Sequence, residues 1–259
     1  MDQEPAKVTE LDPELPRRAR GIYLLPNLFT TAALFAGFYA VLAAMNNQFE
    51  KAAIAIFLAM ILDGLDGRVA RMTHTQTAFG AEYDSLSDMV AFGLAPSLVI
   101  YEWGLATLGR LGWLAAFIYT AGAALRLARF NSQLATADKR FFTGLPSPSA
   151  AAIVAAFVWV AVDNGLSSAD FAWPAMILTA LVGLAMVSNL RYHSFKEIDL
   201  KGKVPFVAIV VVMLAFAVIV SEPPLVLFAL FFIYTLSGPF LGLKRLVDKR
   251  RRRTSASES

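Results

Sequence analysis

Apolar stretches long enough to cross a bilayer recur along the whole chain, and no other feature restricts its fold as much. A hydrocarbon layer of about 30 Å takes about 20 helical residues at about 1.5 Å each. Eight runs approach that length, at 22–45, 52–72, 79–103, 111–131, 147–163, 171–190, 204–220 and 224–243. With 57% of its 259 residues hydrophobic and only 17% charged, the chain is far more apolar than a soluble domain of this length needs to be. Within lipid every backbone N–H and C=O needs an internal partner, which makes helices the expected element. The expectation is therefore an all-α, polytopic membrane bundle of about eight transmembrane helices. Six is the alternative, because the fifth and seventh runs are short.

Basic residues near span ends stay on the cytoplasmic side. Of the 23 Lys and Arg, all but Lys51 and Arg110 fall on one side of an eight-span arrangement. They lie in the N-terminal segment, the 2/3, 4/5 and 6/7 connections, and the C-terminal tail. Both termini are thus expected in the cytoplasm, and six spans would give the same parity. The division that follows is a cytoplasmic segment over 1–21, a membrane domain over 22–243, and a basic cytoplasmic tail over 244–259. The tail, with Lys249 and Arg250 to Arg253, suits anionic lipid better than nucleic acid, since no folded domain presents the charge. The expected location is the inner (plasma) membrane as a multi-pass protein. The first apolar run is too long for a signal-peptide core. Cysteine is absent, which removes disulfides, thiolate chemistry and Cys-ligated metals.

Ionisable groups inside spans are costly, so four carboxylates close together need an explanation. Asp63, Asp66, Gly67 and Ala70 share one helical face that ends at Arg71, and Gly80, Asp84 and Asp88 share another at i, i+4 spacing. A short connection around Thr73 to Ala78 makes the two helices antiparallel and turns the stripes toward each other at the cytoplasmic end of spans 2 and 3. Unneutralised, the four acids repel one another. Carboxylates without His or Cys suit hard cations, and two Mg²⁺ or Mn²⁺ ions balance four charges and leave positions for a pyrophosphate. Gly67 and Gly80 leave room for phosphates to approach the backbone.

Three other readings compete. Helix capping and surface pairing with Arg68 and Arg71 do not account for four acids on two matched faces. An ion transporter more often places its site at the midplane on discontinuous, repeated halves, and no second copy of the acidic segment occurs here. A membrane prenyltransferase would carry its two acidic motifs in separate halves, whereas Asp66 and Asp84 are 18 residues apart.

The pattern D-x-x-D-G-x-x-A-R-x8-G-x3-D-x3-D from Asp63 to Asp88 resembles the signature of the CDP-alcohol phosphotransferase family at every specified position. That resemblance implies metal ligation by Asp63, Asp66 and Asp84, a dual role for Asp88 as ligand and general base, and contacts from Gly67 and Arg71 to the CDP group. It further implies that Thr77 and Asn27, the latter in Pro26-Asn27-Leu28-Phe29-Thr30, lie near the nucleotide. Leu125 to Asn131, Phe142 to Pro148 and Ser188 to Lys196 together resemble the subgroup that takes L-serine as acceptor and CDP-diacylglycerol as donor. Homodimers are usual in such a family, and one is expected here.

On the acceptor side, Arg126 and Arg129 share a helical face and, with Asn131, are candidates to receive the carboxylate of a small zwitterion. Snorkelling at a span end is the plainer explanation for either arginine alone. Lys196 is open to the same two readings, phosphate contact or the positive-inside rule. His74 and His193, the only histidines, lie on neither acidic stripe.

Overall fold

A computed structural model describes residues 17–73, 75, 77–133, 141–193 and 206–257. Nearly all of these residues are helical, in the order α1 (Arg17–Met45), α2 (Phe49–Met72), α3 (Ala78–Asp88), α4 (Ala95–Trp103), α5 (Arg110–Gln133), α6 (Ser147–Asp163), α7 (Ser168–Val187), α8 (Phe206–Ser221) and α9 (Pro223–Ser257). The first 16 residues, His74, the 134–140 and 194–205 connections with Lys139, Arg140, Lys196, Lys201 and Lys203, and the last two residues lie outside the described part.

Each of the eight apolar runs becomes helix, but not every helix has the length and apolarity of a span. Among the described residues four do: Leu25–Met45, Arg110–Ser132, Ser168–Val187 and Pro223–Gly242. The others fall short for separate reasons. α2 has the length and carries the acids. α6 and α8 are 17 and 16 residues long. The third run is not one helix, because a π-helical turn over Met89–Leu94 separates α3 from α4. Pro96 accounts for that turn. Having no N–H, it cannot serve the carbonyl of Phe92, and its ring crowds that carbonyl. The Tyr119 hydroxyl instead donates to Phe92 O at 2.9 Å from α5.

The core is assembled around α6. Ala150, Ala151, Ile153, Val154, Ala155, Ala156 and Val158 are fully buried, so this short helix is enclosed on all sides by protein. α2, α4, α7 and α9 pack around it. Small residues let neighbours approach: a Cβ at Gly122 on α5 would lie 2.4 Å from Gly183 O on α7. The outward faces are apolar instead, as at Phe35 and Phe38 on α1 and Leu181 and Leu184 on α7. Such exposure is unsuited to water and ordinary for lipid.

One departure from the all-helical expectation is a two-stranded antiparallel pairing of β1 (Phe141–Thr143) with β2 (Arg191–His193), in register Phe142 with Tyr192. It joins the segment before α6 to the segment after α7. Tyr192 is buried, and its hydroxyl donates to Thr235 O on α9 at 3.2 Å. Burial, with Tyr234 nearby, pushes its phenol up to about 12, so it remains a donor at ordinary pH. The last helix, α9, continues through the apolar run and into the basic segment as far as Ser257.

Candidate functional site

The acidic stripes meet as their spacing requires. Residues 73–77 connect α2 to α3, and Thr77 starts α3 by accepting a hydrogen bond from Gly80 N at 3.0 Å. Asp63, Asp66 and Asp84 each bring one carboxylate oxygen to within 4.8 Å of the others. Asp66 is buried and accepts a hydrogen bond from Thr30 Oγ1 at 2.7 Å. Asp84 Oδ1 and Asp88 Oδ1 are buried without a partner. An unpartnered buried carboxylate oxygen is costly, and two beside two further acids are more so. The donor set consists of oxygen alone, with no sulfur or imidazole among the clustered groups, and it fits hard divalent cations.

A cavity of about 370 Å³ opens beside the cluster. It is lined by Asn27, Asp66, Gly67, Arg71, Thr77, Gly80, Asp84, Asp88 and Asn131, all singled out from the sequence, together with Thr30, Ser85, Leu127 and Phe130. Asp63 stands beside it within the acid cluster rather than on the wall. Phe130, on the cavity wall, is 41% exposed, and on α3 the neighbours of lining residues Gly80 and Ser85, Phe79 and Leu86, are 70% and 67% exposed.

Of the three residues expected on the acceptor side, Asn131 lines the cavity and the two arginines do not. Arg129 is held chiefly by main-chain carbonyls. Its Nη1 donates to Val187 O at 3.0 Å, and its Nη2 donates to Thr143 O at 2.9 Å and lies 3.3 Å from both Met186 O and Ser188 O. The guanidinium therefore caps the C-terminal end of α7 and fastens β1 to it, a favourable place for a cation. Gly144, with φ of +82°, completes the clamp, because a Cβ there would meet Met186 O at 2.1 Å. Arg126 is buried one turn earlier, donating from Nη1 to Ser147 Oγ at 2.7 Å, with Asp88 the main opposite charge acting on it. Asn131 does face the cavity, and its Nδ2 donates to Ser85 Oγ at 3.0 Å.

Sequence reasoning overlooked Thr30, Ser85, Ser87 and Ser147. Thr30 lies one turn after Asn27 on the same face of α1, which was a usable signal. Ser147 begins α6 directly after Pro146 and its partner is 21 positions away, so only the fold brings it to Arg126.

A family model described as CDP-alcohol phosphatidyltransferase matches residues 23–187. A Helicobacter pylori (strain 26695) protein named CDP-diacylglycerol–serine O-phosphatidyltransferase is 39% identical over 197 residues, covering 75% of this chain and 82% of its own length. A Mycobacterium leprae protein of the same name is 33% identical over 232 residues, covering 86% and 76%. An archaetidylserine synthase from Methanothermobacter thermautotrophicus is 33% identical over 170 residues, covering 65% and 69%.

Proposed function

The chain belongs to the CDP-alcohol phosphatidyltransferase family, and within it we propose that this membrane enzyme transfers the phosphatidyl group of CDP-diacylglycerol to the hydroxyl of L-serine, giving phosphatidylserine and CMP. One observation carries the chemistry: two acidic helices bring Asp66, Asp84 and Asp88 to one cavity with Asp63 clustered beside it, and Asp84 Oδ1 and Asp88 Oδ1 are buried and unpartnered. Support for serine comes from relatives whose names specify it.

In this reading Asp63, Asp66, Asp84 and Asp88 hold two divalent cations, Mg²⁺ or Mn²⁺. Bound there, the cations offset the charge of the pyrophosphate and of the oxygens entering and leaving phosphorus. Asn27, Gly67, Arg71, Thr77 and Gly80 hold the CDP portion. Asp88 takes the proton of the serine hydroxyl as its oxygen bonds to the lipid-bearing phosphorus and the bond from that phosphorus to CMP breaks. Arg126, held by Ser147, stands beside Asp88 as a fixed positive charge, and Asn131 is the acceptor-side residue that reaches the cavity. No separate nucleophile lies in the motif, so transfer takes one step. Isolation of a phosphatidyl-enzyme would overturn that.

The same reading has eight spans, with segment 1–21 and tail 244–259 on either side of membrane domain 22–243. Both termini and the cavity face the cytoplasm of the inner membrane, and the working form is a homodimer. Support lies in the distribution of basic residues. Since the chain lacks cysteine, single cysteines placed in each connection and labelled from either side read the topology directly, and cross-linking reads the dimer.

The deciding assay incubates detergent-purified chain with CDP-diacylglycerol, Mg²⁺ or Mn²⁺, and labelled serine, inositol or glycerol 3-phosphate. CMP release with serine alone is expected. Release with another alcohol instead would change the acceptor and keep the family chemistry. No release with any alcohol, combined with ion flux in vesicles, would favour a transporter.

A further inference from the structure

Thr30 sits where the three helices of the acid site meet. Its hydroxyl donates to Asp66 Oδ2 on α2 at 2.7 Å, and both residues are buried. Its main-chain carbonyl accepts from Ser87 Oγ on α3 at 3.1 Å, immediately before Asp88. One residue on, Thr31 Oγ1 and Tyr83 Oη share a hydrogen bond of 2.9 Å. A single residue of α1 thus touches the first acidic helix through its side chain and the second through its backbone.

We propose that Thr30 is a positioning residue for the acid cluster: its hydroxyl fixes the Asp66 carboxylate for a divalent cation while its carbonyl holds α3 alongside. The inference rests on the cation-binding reading of the cluster given above. A hydroxyl has one proton to donate. Pro26 O, at 3.2 Å, is a possible acceptor within α1, but the carboxylate is nearer and charge-assisted, and so the stronger. With its proton on Oδ2, the hydroxyl restrains rotation of the carboxylate that joins the acid cluster. Ligating carboxylates that lose such a partner lose metal affinity. Ser87 does not share this role, since it touches only the backbone of α1.

The test measures Mn²⁺ binding to the detergent-purified full chain by electron paramagnetic resonance, with no substrate present. Thr30→Val keeps the shape and removes the donor, and it should weaken Mn²⁺ binding about 10- to 100-fold. Thr30→Ser keeps the donor and should stay within about threefold of the parent by the same argument. In an Asp66→Asn background the valine substitution should add less than about twofold, because the carboxylate it serves is gone. Thr30→Ala, smaller than the parent residue, must reproduce the loss where valine does not pack. Parent-like binding by Thr30→Val and Thr30→Ala, or equal losses with serine and valine, would overturn the inference. So would a lowered melting temperature without Mn²⁺ combined with unchanged affinity, which is what a purely structural threonine would give. A parent chain that binds no Mn²⁺ would instead remove the cation reading itself, so the two failures are distinct.

Discussion

The acid site between α1, α2 and α3 and the clamp between α5, β1 and α7 both gather polar groups at one end of the bundle, yet they treat them in opposite ways. In the first, two carboxylate oxygens are buried with nothing to accept from. In the second, one guanidinium reaches four main-chain carbonyls. Unmet carboxylate oxygens clustered beside a cavity suit a charged group that arrives there, whereas a guanidinium bonded to main-chain carbonyls holds elements together. Residue type does not separate the two, because Arg129 was as good a ligand candidate as Arg126 until its partners were visible.

That contrast is open to direct attack, most severely at Asp88. Asp88→Asn should lower CMP release by about 10²- to 10⁴-fold, the range for losing a general base, while CDP-lipid binding stays close to the parent's. Normal turnover would remove Asp88 from the open class. Chelation is the next largest effect: EDTA should abolish CMP release, and Mg²⁺ or Mn²⁺ should restore it. Activity that survives EDTA would mean that the unpartnered oxygens serve another purpose.

Arg129 tests the other half. Arg129→Ala should lower stability by roughly 2–3 kcal/mol, since the lost hydrogen bonds come from a charged donor, while Mn²⁺ affinity stays parental. Thermal melting and Mn²⁺ titration on the same preparation check both. A loss of Mn²⁺ affinity without loss of stability would move Arg129 into the site. The smallest effect belongs to Ser147, which lies between the two regions. Ser147→Ala should cost about 1 kcal/mol of stability and slow turnover several-fold by releasing Arg126 beside Asp88. A change in stability alone would make Ser147 part of the clamp.

How much was legible follows the range of the interactions. The stripes of Asp63–Asp66 and Asp84–Asp88 could be read because three- and four-residue spacings are local, and the apolar runs located every helix. The π-helical turn was signalled by Pro96 and passed over, because a run of apolar residues hides a change of helical period. The β1–β2 pairing is three residues per strand and has no periodicity to detect. Thr30 meets Asp66 across 36 positions, a contact that only the packing of α1 on α2 creates. The role of Arg129 was hidden for a chemical reason, since its donors suit a substrate carboxylate and a helix end equally well.

The exposed apolar side chains of Phe130 on the cavity wall and of Phe79 and Leu86 on α3 have a kinetic consequence under the proposed function. If CDP-diacylglycerol is the donor and keeps its acyl chains in the surrounding lipid, it is never lifted out of its own solvent. It then arrives by diffusion in two dimensions, and the enzyme senses its mole fraction in the film rather than its amount per volume. Adding inert detergent or lipid at constant total donor should slow the reaction by dilution within the surface, whereas serine, arriving from water, should obey its ordinary bulk concentration.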